Sequence, residues 1–255
     1  MTFEVLCEIE PATTPDLTKV RHQIGVLSTV ATSFLIPDNH IGRATVSSVA
    51  VAHEVQAMGG RSVACLNARD RNLLGFRRDL LTAAAYGVDQ FLFVYGDEPL
   101  AGARTSELTV RTMLSEGRTY AAGLGTGAPM RFGAATGLRP LPAWKRAADF
   151  LCVQVGFSLP DLLAWRAKVA VDVPVYAGVL VLASAGMARN LTIPGLTVPP
   201  DLMRRLEQDR TAGVDAACEL VVAIRDSGAF DGVHLVPVAR YREVAARLEK
   251  ALGSG

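Results

Sequence analysis

The sequence predicts a single-domain α/β protein, a (β/α)8 barrel spanning residues 1–255. Three observations lead there. The length of 255 residues is close to the roughly 250 typical of one such barrel. Eight short runs rich in apolar and β-branched residues alternate with longer segments of helical period. Most of those runs are almost continuously apolar, the pattern of parallel strands covered on both faces.

In chain order, the expected strands cover residues 3–9, 27–34, 61–66, 90–95, 130–135, 150–155, 173–181 and 232–236. The expected helices cover 14–24, 43–58, 72–86, 106–116, 142–148, 160–169, 200–225 and 241–252. Gly59, Gly60 and Gly87 stand where helices should end, since glycine accepts the left-handed backbone that closes many helices. Pro142 and Pro160 fall where proline suits a first helical turn, and Ser158 is placed to cap one. The 200–225 helix is expected to break near Gly213. The fifth strand is the hardest to delimit, because the glycine-rich stretch 123–129 before it reads as loop.

Composition excludes several classes of function. Half the residues are apolar and 20% are charged, which argues for a packed globular chain and against disorder. The net charge is +1 with no extended basic run, so a nucleic-acid partner is not expected. Cys7, Cys65, Cys152 and Cys218 are scattered and read as small buried hydrophobes in a reducing compartment. The four histidines lack metal-ligand spacing, so no metal is expected. The N-terminus has no basic-then-apolar signal pattern. The uncharged stretch 173–188 is broken by Pro174, Gly178 and Gly186 and is shorter than the ~20 residues of a membrane span. A cytoplasmic location follows as the expectation, and a homo-oligomer is compatible with the sequence.

Barrel enzymes carry their chemistry at the C-terminal ends of strands and in the loops that follow. The polar residues there are Glu8 and Glu10 after the first run, then Asp38, Asn39 and His40 after the second. Asn67, Arg69, Asp70, Arg71 and Asn72 follow the third, Asp97 and Glu98 the fourth, and Gln154 lies in the sixth. A partly desolvated carboxylate has a raised pKa and serves as a general acid near neutral pH, a description that suits Glu8. Closing the barrel top by pairing with an arginine is its structural alternative. Asp97 follows a glycine that allows a sharp turn, and capping the next helix or loop explains it equally well. Gln154 within a buried strand needs hydrogen-bond partners, which a ligand's polar edge would supply. His234 in the last strand reads as a core histidine. The four lysines fall on helical segments, which disfavours a Schiff-base aldolase. Gly123, Gly125 and Gly127 have dinucleotide-loop spacing, but they do not lead from a strand into a helix.

The constellation resembles the methylenetetrahydrofolate reductase family along nearly the whole chain. Glu8 with Pro11 is similar to the family's opening strand, which ends in Glu with Pro three residues on. The stretch 64–72, ACLNARDRN, resembles AHLTCRDRN. Gly87 through Pro99 is similar to the family's fourth strand and its GDPP ending. Gln154 matches a sixth-strand Gln, and the stretch from Val233 to Arg240 aligns without gaps with the last strand and loop.

The resemblance implies NAD(P)H-dependent reduction of 5,10-methylenetetrahydrofolate to 5-methyltetrahydrofolate, in one-carbon metabolism and methionine supply. It makes Glu8 the general acid that opens the imidazolidine ring, with Asp97 stabilising positive charge and helping to hold the pterin. Gln154 would bind the pterin edge, with Asn67 and Arg240 also contacting substrate. The family's flavin contacts are replaced: its His by Cys65, its Arg by Tyr95, and its YPExHP loop by Thr136, Gly137, Leu138, Arg139 and Pro140. This joint loss implies hydride transfer directly from NADH or NADPH without bound FAD, with Tyr95, His40 and Asn39 as candidate nucleotide contacts. An FAD-dependent reductase with altered contacts, a barrel reductase using a deazaflavin or another pterin, and a non-redox pterin-binding barrel are the alternatives.

Overall fold

A computed structural model describes residues 2–193 and 195–253. Eight parallel strands close into one barrel in sequence order. They are β1 (Glu4–Glu8), β2 (Ser33–Ile36), β3 (Ser62–Asn67), β4 (Gln90–Val94), β5 (Arg131–Thr136), β6 (Phe150–Gly156), β7 (Val175–Leu180) and β8 (Gly232–Val236). Between and after them run α1 (Thr18–Leu27), α2 (Ser48–Ala57), α3 (Leu73–Ala85), α4 (Val110–Ala122), α5 (Leu159–Arg166), α6 (Ala185–Arg189), α7 (Pro200–Gln208), α8 (Ala212–Ser227) and α9 (Tyr241–Leu252). The expected (β/α)8 barrel is the fold. None of the described helices is long and apolar enough to cross a membrane.

Strand alternation divides the apolar residues between two cores. Leu6, Leu35, Val63, Cys65, Leu92, Cys152 and Tyr176 fill the barrel interior. The alternate positions point outward into the shell between strands and helices, among them Val5, Phe34, Phe91, Phe93 and Phe132. Phe93 and Phe132 stack there with ring centroids 5.2 Å apart. Because both faces are buried, the strands carry the continuous apolar runs seen in the sequence.

Several boundaries differ from expectation. Residues 27–32 are not strand: Leu27 ends α1, on the buried face it shares with Val20 and Ile24, and β2 begins at Ser33. The 200–225 segment splits at Asp209, whose extended backbone interrupts the helix. Gly213 lies inside α8, where a Cβ would sit 1.9 Å from the Leu182 carbonyl oxygen. Its role is close approach, not helix breaking. The 142–148 segment forms only a 3-10 turn, Ala143–Ala147, between β5 and β6. Helix α6, capped by the Ser184 hydroxyl, has no counterpart among the expected elements. The glycine-rich stretch after α4 leads into β5, and so lies at the opposite end of the barrel from the βα loops.

Candidate active site at the barrel mouth

A cavity of about 720 Å³ opens at the C-terminal ends of β4, β5 and β6, within the roughly 300–1,000 Å³ usual for small-molecule sites. Gln154, Tyr95, Trp144, Lys145, Arg111 and Arg139 are its main polar and aromatic lining residues. Gln154 is exposed to it from within an otherwise buried strand. The β6–β7 register shifts between Cys152 and Val155. Such an irregularity re-aims the side chain it carries. Gly178 of β7 permits it, since a Cβ there would lie 2.4 Å from the Val153 carbonyl oxygen. Among the described residues, no protein group hydrogen-bonds the Gln154 amide.

Glu8 ends β1 on the other side of the mouth and is not part of the cavity lining. Its Oε2 lies 3.0 Å from Nε2 of His234, and the two side chains are 17% and 12% exposed. His234 is thus a core histidine with a partner, and its ring helps to orient the Glu8 carboxylate. Burial raises the Cys65 and Cys152 thiols well above their usual range, and the Glu8 charge raises both further. Cys65 and Cys152 lie in the barrel interior, and strand alternation turns Glu8 to the same side of β1 as the interior Leu6.

The β2, β3 and β4 loops are tied together beside this site. The Arg71 guanidinium donates to Asp38 Oδ2 at 2.6 Å and to the Asn67 carbonyl at 3.0 Å. The Asn67 amide donates to Asp38 Oδ2 at 2.9 Å and to Asp70 Oδ2 at 2.6 Å, while its Oδ1 accepts from the Arg69 and Asp70 amides. Burial of Asp38 raises its pKa, opposed by the adjacent Arg71 charge. The Asn39 side chain donates to Asp70, and Asp97 Oδ2 accepts from the Ile41 amide at 2.8 Å. Asn39, Ile41 and Gly42 all have positive φ, a strained conformation for the β-branched Ile41. Gly42 is required there, because a Cβ would meet the Glu98 carbonyl oxygen at 2.0 Å.

The expected site residues therefore divide. Gln154 and Tyr95 line the cavity, and Glu8 faces the barrel interior nearby. Asn67 is 3% exposed with its amide engaged in loop contacts, so its visible role is to lock the loops. Asp97 holds the β2 loop through the Ile41 amide, a different partner from the following helix or loop considered for it. His40 is exposed in that loop and Asn39 fastens it. Arg240 pairs with Glu243 at 2.8 Å and donates to the Arg210 carbonyl, joining β8 to the α7–α8 turn. Tyr95 is 54% exposed, with the Arg69 guanidinium 4.4 Å from its ring centroid.

The expectation that all lysines sit on helices fails at two positions. Lys168 follows the end of α5, and Lys145 lies in the 3-10 turn after β5 with its side chain lining the cavity. Lys145 donates to the Ala135 carbonyl at 2.5 Å, and burial holds its amine below the ordinary lysine range. Arg111 and Trp144 belong to no motif in the sequence, and Arg139 stands out there only within the 136–140 loop.

Fold and site together define a single-domain (β/α)8 barrel whose C-terminal mouth holds a mainly apolar, partly aromatic cavity with a few polar and cationic side chains. No protein-family model matches the chain, and no curated protein matches it in sequence. Among solved structures it is similar to a protein from Clostridium thermocellum that binds two copies of 5-methyl-5,6,7,8-tetrahydrofolic acid. The TM-score is 0.68 at 11% identity, covering 99% of this chain and 95% of the other. It is also similar to Mycobacterium tuberculosis tryptophan synthase, with TM-score 0.58 at 12% identity over 98% of this chain and 92% of the other. A long-chain alkane monooxygenase gives TM-score 0.55 at 7% identity, over 100% and 92% of the two chains. At these identities the likeness establishes the fold alone.

Proposed function

We propose that the protein binds a reduced folate at the barrel mouth and reduces 5,10-methylenetetrahydrofolate to 5-methyltetrahydrofolate with NADH or NADPH. The observation that carries this reading is Gln154, an unpartnered amide aimed from a buried strand into the cavity. An amide offers both a donor and an acceptor, which suits the mixed donor and acceptor edge of a pterin. The tetrahydrofolate-binding protein of similar fold supports the ligand class.

In this reading the pterin spans the mouth from Gln154 toward Glu8. Glu8, oriented by His234, gives its proton to the ring nitrogen that leaves as the imidazolidine opens. The cation so formed carries an exocyclic methylene carbon, which accepts a hydride from the reduced nicotinamide. Asp97 contributes negative charge at the rim while holding the β2 loop with one oxygen. The exposed ring of Tyr95 takes the flat nicotinamide, a stacking role in place of the Arg found there in the resembled family. The glycine-rich 123–127 stretch takes no part, being at the far end of the barrel.

One observation favours a second reading, a pterin-binding barrel without redox activity: Glu8 is bonded to His234 and lies outside the cavity lining. A turnover assay separates the two. Purified protein is given methylenetetrahydrofolate with NADH or NADPH, with and without added FAD, alongside an absorbance spectrum. Oxidation of the nicotinamide by colourless protein is expected. Tight folate binding with no turnover under any of these conditions would favour the non-redox reading, and a yellow protein with ping-pong kinetics the flavin-dependent one.

A further inference from the structure

The cavity wall carries three cations, Arg111, Arg139 and Lys145, and no carboxylate. Outside the cavity, Arg21, Arg61, Arg69, Arg71, Arg77, Arg118, Arg189 and Arg247 each face an acidic group within 3.2 Å, while among the described residues others such as Arg43, Arg204 and Arg210 do not. Among the described residues, Arg111 and Arg139 have no acidic partner, and Lys145 spends one donor on the Ala135 carbonyl. In a chain of net charge +1, this is a local accumulation of uncompensated charge around one concave surface. Arg111 adds a second anomaly. It stands in the first turn of α4, where the helix dipole is already positive and a cation is unfavourable. That turn opens onto the cavity, and the α4 capping box between Thr109 and Thr112 leaves the Val110 and Arg111 amides without intrahelical acceptors.

We propose that the β4–β6 side of the cavity is an anion-capture site. Arg111, Arg139 and Lys145 hold the flexible, multiply charged end of the ligand while Gln154 reads its uncharged ring. The chemistry recognised is two or more negative charges linked to a flat heterocycle. It rests on the folate reading for one of its sources, the carboxylates of a glutamyl tail; the other source is the pyrophosphate of the nicotinamide nucleotide. A bound anion offsets the unfavourable charge at the start of α4. Guanidinium forks fit both carboxylate and phosphate.

The test is quenching of Trp144 fluorescence by four ligands: 5-methyltetrahydrofolate, its triglutamyl form, the tail-less 6-methyltetrahydropterin, and NADH. Each is titrated at low and high salt into wild type, the Arg111→Gln, Arg139→Gln double variant, and Lys168→Gln as a control for lost surface charge. Trp144 lines the cavity, and a Trp165→Phe background removes the only other tryptophan. Thermal melting of each variant establishes that it is folded. Affinity for the anionic ligand is expected to fall about fivefold for each guanidinium removed, with a shallower salt dependence. The triglutamyl form should bind tighter than the monoglutamyl form, and the tail-less pterin should respond to neither substitution nor salt. If NADH alone shows the loss, the pyrophosphate is the anion captured and the proposal stands on that source. If folate and NADH bind the double variant as tightly as wild type, the anion-capture assignment is wrong while the folate reading stands. If wild type binds neither ligand, both are wrong.

Discussion

Glu8 is the residue on which the proposed chemistry turns. Its carboxylate is largely shielded from solvent, bonded to His234, and close enough to Cys65 and Cys152 to raise their thiol pKa values. Glu8→Gln keeps the shape and the hydrogen bond to His234 but removes the proton. Turnover is expected to fall by about 10²–10⁴-fold, the usual contribution of a general acid, with folate affinity nearly unchanged. Steady-state kinetics alongside a binding titration measures both. Turnover within about threefold of wild type in a folded variant would end the general-acid assignment. Gln154 differs in kind, since it binds without transferring a proton, and its loss should appear as weaker binding.

The loops after β2, β3 and β4 form one cross-braced element. Arg71 is its centre, holding Asp38 and the Asn67 carbonyl and lying 3.3 Å from Asp79 in the middle of α3. Arg71 and Asp38 are both largely buried, so removing one leaves an uncompensated charge on the other. Arg71→Leu is expected to destabilise the protein by about 3–5 kcal/mol, measured by urea unfolding. A loss under about 1 kcal/mol would show that the loops are held by other contacts. This bracing also explains the strained Ile41: the Asp97 carboxylate and the Gly42–Leu100 backbone hydrogen bond hold a conformation that an unrestrained loop would leave. Asp97 and Asn67 stand at strand ends for this structural reason, whatever further part they play in binding.

At the scale of the whole molecule, the barrel was legible because burial on both faces writes itself into continuous apolar runs. Phe91, Phe93, Leu92 and Val94 of β4 are an example: alternate residues fill different cores, yet all are apolar. The run ending in Phe34 misled because Leu27 is apolar for the sake of α1, and an apolar residue does not declare which element buries it. Gln154 was legible as an amide out of place in a strand. The cations of the cavity were not, because Arg111, Arg139 and Lys145 come from a helix start, a loop and a 3-10 turn that converge only in the closed barrel. Pairing was equally hidden: Glu8 and His234 are 226 positions apart and meet because β8 closes onto β1.

The central claim is that this barrel moves a hydride from nicotinamide to folate in one step. It is tested most directly with NADH or NADPH deuterated at the transferred C4 position. Product 5-methyltetrahydrofolate is analysed by mass spectrometry after turnover in ordinary water. Direct transfer within one complex puts one deuterium in the methyl group of each product molecule. Passage through an intermediate carrier whose hydrogen exchanges with water would leave the methyl group unlabelled, and that result would contradict the account.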